Sequence, residues 1–149
     1  MSQISDIKTA VQGHLNALKT AGKFGTVIVD DFRTNPDTGL GKNIASYPAA
    51  ILGSPAITSA YETNRDNMRT FDFEILVMCK GENVNGIAVI EDLIQTILDE
   101  FDNDPTLGGK ANGAVEPSAS NPEAVSAPDG TFIIFTISVK ARALVTLTF

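Results

Sequence analysis

Residues 131–149, TFIIFTISVKARALVTLTF, decide the fold of this chain more than any other stretch. Apolar residues recur there at every second position, which is the side-chain period of a β-strand with one face against a core. They are Ile133, Phe135, Ile137, Val139, Ala141, Ala143, Val145, Leu147 and Phe149. Polar and basic side chains fall on the opposite face, among them Lys140 and Arg142. The stretch therefore predicts a long, two-faced terminal strand.

The length of this strand is unusual. At about 3.3 Å per residue it would extend about 60 Å if straight, whereas ordinary strands have roughly 3–10 residues. We therefore expect it to bend, to split in two or to leave the domain. The small residues Ala141 and Ala143 mark the expected hinge. Residues 131–139 are then core sheet, and residues 140–149 are a bent or projecting segment offered to a neighbour.

Residues 68–80 form the clearest strand in the rest of the chain. One face is apolar at strict period two and is predicted to meet the core: Phe71, Phe73, Ile75, Val77 and Cys79. The opposite face starts charged and becomes apolar at Leu76 and Met78. Because apolar side chains on both faces need cover, we expect a second partner over that end of the strand.

Two amphipathic helices are predicted, at residues 5–21 and 83–101, because apolar residues recur there at spacings of three and four. Three further strand segments are predicted. They are residues 24–32, residues 47–52 with a continuation over 56–63 after a break at Gly53-Ser54-Pro55, and a short strand around 114–117. Because proline donates no ladder hydrogen bond, Pro48 places its strand at an edge or at its own beginning.

Together these elements predict an α+β fold. We expect a mostly antiparallel sheet of four to five strands with two amphipathic helices packed on one face, in the order α-β-β-β-α-β-β. The 149 residues fit a single domain over 1–149. Gly, Pro, Asn and Ser are dense at residues 33–45 and 105–130, so these two segments are predicted to be long loops.

Charge and cysteine content restrict the class of function. The chain has 18 acidic and 11 scattered basic residues and a net charge of −7, so it is not expected to grip nucleic acid. Its single cysteine cannot form an internal disulfide, which fits synthesis in a reducing cytoplasm. The first residues lack the pattern of a secretion signal, and no apolar run reaches membrane-spanning length.

The sequence predicts no catalytic residue, no metal-binding site and no cofactor. His14 is the only histidine and falls on the apolar face of the first helix, so a hydrogen-bonded, partly buried role is expected. Cys79 is expected to be a small buried hydrophobe. One Cys and one His cannot build the usual zinc site. The carboxylates at residues 99–104 do not match a calcium loop and indicate a solvated helix end.

The order of elements carries a resemblance. It combines an amphipathic helix ending in Asp102-Asn103-Asp104-Pro105-Thr106-Leu107-Gly108-Gly109, a short Ala114-Val115-Glu116-Pro117 segment and a long final strand. Over nearly its whole length the chain resembles the tail terminator, or tail-completion, proteins of long-tailed bacteriophages and related tail-like particles. The longer segments at residues 33–45 and 110–130 depart from the shortest members of that family.

The resemblance implies a structural virion protein made in the host cytoplasm. Such a protein forms a homohexameric ring on the last ring of the tail tube, stops tube growth and joins the tail to the head or neck. It implies other copies of the chain, the tail tube protein, a neck or connector protein and the sheath protein as partners. It also implies a central channel through which DNA passes without specific binding. The acidic charge balance suits a non-adhesive channel wall.

A ring subunit needs contact surface on two different sides, and the terminal strand is the expected source. The residues predicted to contact other subunits or the tube are Lys140, Arg142, Leu144, Val145, Leu147, Phe149, Leu40 and Leu107. Two alternatives remain open. One is another neck, head–tail connector or tail tube protein, although a tube protein usually needs two extended hairpins and only residues 56–80 form a clear one. The remote alternative is a small enzyme or ligand-binding domain.

Overall fold

A computed structural model of the chain describes residues 3–29, 46–61, 66–80, 87–127 and 130–146. These residues form two helices, α1 (Gln3–Thr20) and α2 (Ile87–Asp102). They also form seven strands: β1 (Thr26–Val29), β2 (Ala49–Leu52), β3 (Ala56–Tyr61), β4 (Asp66–Lys80), β5 (Glu116–Ala119), β6 (Glu123–Ala127) and β7 (Gly130–Thr146). Neither helix in these ranges is long and apolar enough to span a membrane.

The predicted helices are confirmed, with small shifts of their ends. In α1 the apolar residues at helical spacing are fully or almost fully buried: Ile7, Val11, Leu15 and Leu18. Gly22, at a φ of 81°, adopts the left-handed conformation that often terminates a helix. In α2 the buried residues are Ile90, Ile97 and Phe101. The predicted start of this helix at residues 83–86 lies outside the described residues.

The seven strands form one sheet in the order β1-β2-β4-β7-β5. β3 pairs with β4 beyond the end of β2, and β6 pairs with β7 beyond the end of β5. The pair β1–β2 is parallel, and the other five pairs are antiparallel. The predicted α+β class is therefore confirmed. The prediction of four to five strands was too low, because β3 is separate from β2 and because β6 was not foreseen.

Both helices pack on the same face of the sheet. Their apolar stripes share one core cluster with the inward residues of β4 and β7, including Phe73, Ile75, Ile137 and Val139. A smaller cluster lies on the opposite face, where Met78 contacts Ile51 and Phe132. The second apolar face predicted for this end of β4 is thus confirmed, but Met78 is fully buried within the chain itself.

The predicted split of the terminal strand at Ala141 was wrong. β7 is continuous and pairs with β4 from Phe132, opposite Lys80, to Thr146, opposite Asp66. The long strand stays in the sheet because β4, with 15 residues against 17 in β7, is almost as long and pairs with it as far as Thr146. Ala141 is fully buried and pairs with Phe71, so its small side chain marks close packing rather than a hinge.

The segment 105–130, expected to be a loop with one short strand around 114–117, contains two strands. β5 pairs with the middle of β7, and β6 pairs with its beginning. These strands contain proline, serine and alanine, which do not favour a strand, so residue propensity does not predict them. Pairing along the edge of β7 stabilises them instead. The other predicted loop, residues 33–45, lies outside the described residues.

Candidate subunit interface

The far end of the sheet has three strands that extend beyond β2 and β5. We define the distal sheet as β3, residues 66–72 of β4 and residues 140–146 of β7. Within it, β3 pairs with β4 from Ala56–Asp72 to Tyr61–Asn67, and β4 pairs with β7 from Asp72–Lys140 to Asp66–Thr146. This part of the sheet contains four of the eight residues predicted to contact other subunits: Lys140, Arg142, Leu144 and Val145.

The helix-side face of the distal sheet changes from buried to exposed across its three strands. Directly paired residues point to the same face, so Ile57, Phe71 and Ala141 form one row. Phe71 and Ala141 are buried, but Ile57 is 44% exposed, and Tyr61 in the same strand is 76% exposed. The helix-side face is therefore buried at β4 and β7 in this row, and at β3 it exposes two large side chains.

β3 is exposed at all six of its positions. It carries no charged residue, and in the described part of the chain only β4 pairs with it. Sequence reasoning treated this segment as a continuation of the preceding strand and did not select it as contact surface. The signal was present, since Ile57 and Tyr61 alternate with small polar residues in an uncharged strand.

Lys140 and Arg142 lie on the face of the sheet that points away from the helices. Both side chains are exposed, so both are available for the contacts predicted for them. Arg142 Nη2 lies 3.8 Å from Glu116 Oε1, and both side chains of that pair are more than half exposed, at 54% and 61%. An ion pair so accessible to water contributes little stability, so Arg142 remains able to exchange partners.

Leu144 and Val145 lie near the end of β7. Leu144 is 39% exposed, and Val145 is half-buried and pairs with Asn67. The backbone N–H of Leu144 donates to Asn112 Oδ1 at 2.9 Å, and the N–H of Asn112 donates to the carbonyl of Arg142 at 2.6 Å. Asn112 thus covers the edge of β7 beyond β5 in the manner of a short strand.

Leu107 is not a surface residue, which argues against its predicted role as a contact residue. It is 1% exposed and belongs to the same core cluster as Ala111, Val115 and Ala143. Its φ of 51° lies in the left-handed region, which turns the chain after α2 and directs the side chain inward. The predicted contact residues Leu40, Leu147 and Phe149 lie outside the described residues.

His14 links the two helices, as its predicted partly buried role requires. Its Nε2 lies 2.7 Å from Asp104 Oδ2, and its Nδ1 lies 3.7 Å from Glu100 Oε1. The ring also packs against Phe101, with 5.3 Å between the ring centroids. The hydrogen bonds from the Gly108 N–H and from His14 lower the pKa of Asp104 below its ordinary value of 3.8.

Cys79 is buried in the core-facing register of β4, as predicted. Burial raises the pKa of its thiol to about 11, so the thiol stays protonated and unreactive near neutral pH. Among the described residues no group of three or more His, Cys, Asp or Glu side chains is placed to hold a metal ion.

The comparisons with known proteins agree with the fold. No protein-family model and no curated protein sequence matches the chain. Among solved structures, the chain is similar to one from the virion of a native gene transfer agent particle, with a TM-score of 0.55 and 16% sequence identity. The likeness covers 90% of this chain and 91% of that one. The two chains therefore share a fold over almost their whole lengths.

Proposed function

We propose that this chain is a structural subunit of a phage-like virion that forms a ring capping the tail tube. In this role it ends tube growth and joins the tail to the head or neck, with a central channel through which DNA passes. The observation that carries the proposal is the shared fold with a chain of a gene transfer agent virion over nine-tenths of both chains. The resemblance to tail terminators supports the finer role, including the ring of six.

The surface of the subunit supports assembly with other copies. A closed ring is built from head-to-tail contacts, so each subunit needs two different surfaces. The distal sheet offers one, with Ile57 and Tyr61 exposed on its helix-side face. The beginning of α2 offers a second, where Ile87 is 58% exposed and Val89 is 46% exposed.

These two apolar surfaces lie at different places on the subunit. The segment after α2 reaches β7 of the distal sheet through Asn112, so the end of α2 leads toward that sheet. Ile87 lies at the opposite end of this 16-residue helix, about 24 Å away at 1.5 Å per residue. Such separation supports a head-to-tail contact rather than a two-fold dimer.

The proposed partners are other copies of the chain, the tail tube protein, a neck or connector protein and the sheath protein. The proposed location is the tail or neck of the particle, after synthesis in the host cytoplasm. Net charge supports the channel role, since a chain at −7 repels the phosphate backbone of passing DNA. Enzymatic activity is not part of the proposal.

The experiment that tests this function adds the purified chain to tail tubes of the same particle and images them by negative stain. We expect density at one end of each tube and no further growth when tube protein is added. A chain that lengthens the tubes would be a tube subunit, and a chain that binds only heads would be a connector. Either result would exclude the capping role.

A further inference from the structure

The sheet edge has a gap where β2 gives way to β3. β2 ends with Leu52 opposite Ile75, and β3 begins with Ala56 opposite Asp72. The three residues 53–55 therefore lie opposite only two residues of β4. One extra residue on one of two paired strands is the defining feature of a β-bulge. The N–H of Gly53 still reaches the carbonyl of Glu74 at 3.4 Å. The gap leaves open space beside the Glu74 side chain.

A concavity of about 310 Å³ occupies this place on the face of the sheet that points away from the helices. Ile51 and Leu76 form apolar walls, and they are directly paired across β2 and β4. Ser54 and Thr136 contribute hydroxyl groups, and Glu74 contributes the charged group of the lining. The described lining thus combines apolar surface with one carboxylate.

The Glu74 carboxylate makes no ion pair with any residue that the structure describes, and its side chain is exposed. Its nearest charged neighbours on the same face are Asp72, which accepts a hydrogen bond from Ser138 Oγ at 2.5 Å, and Lys140, which pairs in register with Asp72. Neither Asp72 nor Lys140 lines the concavity, so Glu74 is the charged group of its described lining. An unpaired carboxylate there favours a cation.

We propose that the concavity receives a lysine side chain from another protein subunit. The methylene groups of a lysine would pack on Ile51 and Leu76 while its ammonium approaches Glu74, which is how lysine buries its stem and keeps its charge paired. An uncharged aliphatic group would leave the carboxylate unpaired, and an anion would be repelled by it. The site goes beyond the proposed function, since its chemistry is the same whether or not the chain forms a ring.

The test uses n-pentylammonium as the probe, because it reproduces the stem and charge of lysine. NMR signals of the Ile51 and Leu76 methyl groups are followed during titration with the probe and, in parallel, with 1-pentanol. We expect saturable shifts with pentylammonium at roughly millimolar concentration, and weaker or no shifts with pentanol. Methyl signals remain observable in a large assembly, so the result is independent of ring formation.

Two variants complete the experiment. Glu74→Gln should weaken pentylammonium binding about three- to fivefold, and the matched Glu91→Gln on the exposed face of α2 should leave it unchanged. Equal binding of pentanol and pentylammonium, no binding of either, or unchanged binding in Glu74→Gln would overturn the proposal. So would a tenfold gain in Lys140→Gln, which would mean that the chain's own lysine fills the concavity.

Discussion

His14 Nε2, in the middle of α1, lies 2.7 Å from Oδ2 of Asp104, two residues past the end of α2. The other oxygen of the same carboxylate accepts the N–H of Gly108 at 2.9 Å. The Asp104 side chain thus joins α1 to the turn that follows α2. The acidic end of α2 opposes the helix dipole, and the sequence indicated only a solvated helix end there. In the structure the charge of Asp104 has partners within the chain.

The first prediction separates Asp104 from its neighbour Asp102. Asp104→Asn should lower the free energy of unfolding by about 1 kcal/mol, because it weakens a hydrogen bond to His14 and one to the Gly108 N–H. Asp102 is exposed, so Asp102→Asn should change the free energy of unfolding by less than about 0.5 kcal/mol. Urea unfolding of the two variants measures the difference. Equal effects would show that the contact seen at His14 does not stabilise the fold.

The second prediction concerns the pH dependence of this contact. The pKa of Asp104 is lower in the folded chain than its ordinary value of 3.8, so folding favours the charged form. The stabilisation is therefore complete above about pH 4 and is lost as the pH falls through the folded pKa. The stability difference between the parent chain and Asp104→Asn should shrink below pH 4. A difference that grows on acidification would contradict the assignment.

The third prediction distinguishes a core role for Leu107 from a contact role. Leu107→Ala should destabilise the chain by about 2–5 kcal/mol, because Leu107 is buried and its loss leaves a cavity. Lys110→Ala, an exposed position in the same turn, should be nearly neutral. Thermal unfolding compares the two. If Leu107→Ala keeps its stability but fails to assemble, Leu107 is a contact residue after all.

The fourth prediction tests the distal sheet as a subunit interface. Lys140→Glu combined with Leu144→Asp places negative charge on exposed positions of β7, so the fold should persist while assembly is lost. Lys19→Glu with Ile4→Asp, which changes exposed positions of α1 in the same way, should assemble normally. Sedimentation reports assembly, and circular dichroism reports the fold. Normal assembly of the β7 variant would exclude this face of β7 from the contact.

The strands that the sequence predicted best are those with strict alternation. Phe71, Phe73 and Ile75 in β4 and Phe135, Ile137 and Val139 in β7 all lie in the predicted core face. The prediction succeeded because burial on one face imposes a period of two on the sequence itself. The helices were found for the corresponding reason, since their buried faces impose a period near 3.6.

The errors arose where long-range pairing decides the structure. β6 forms because β7 offers it an edge, and nothing in residues 123–127 alone favours a strand. Ala141 looked like a hinge because its side chain is small, yet the small size allows close packing in the core. The burial of Leu107 depends on a left-handed backbone that no periodicity reveals. Three predicted contact residues are exposed on β7, namely Lys140, Arg142 and Leu144, and alternation places all three on the face opposite the core.

Native mass spectrometry of the purified chain over a range of concentrations tests the central claim most directly, with and without tail tubes of the same particle. A ring subunit should give a species of six times the monomer mass, either alone or when tubes are added, and negative-stain images should show six-fold rings. A chain that stays monomeric at high concentration, even with tubes present, would contradict the account.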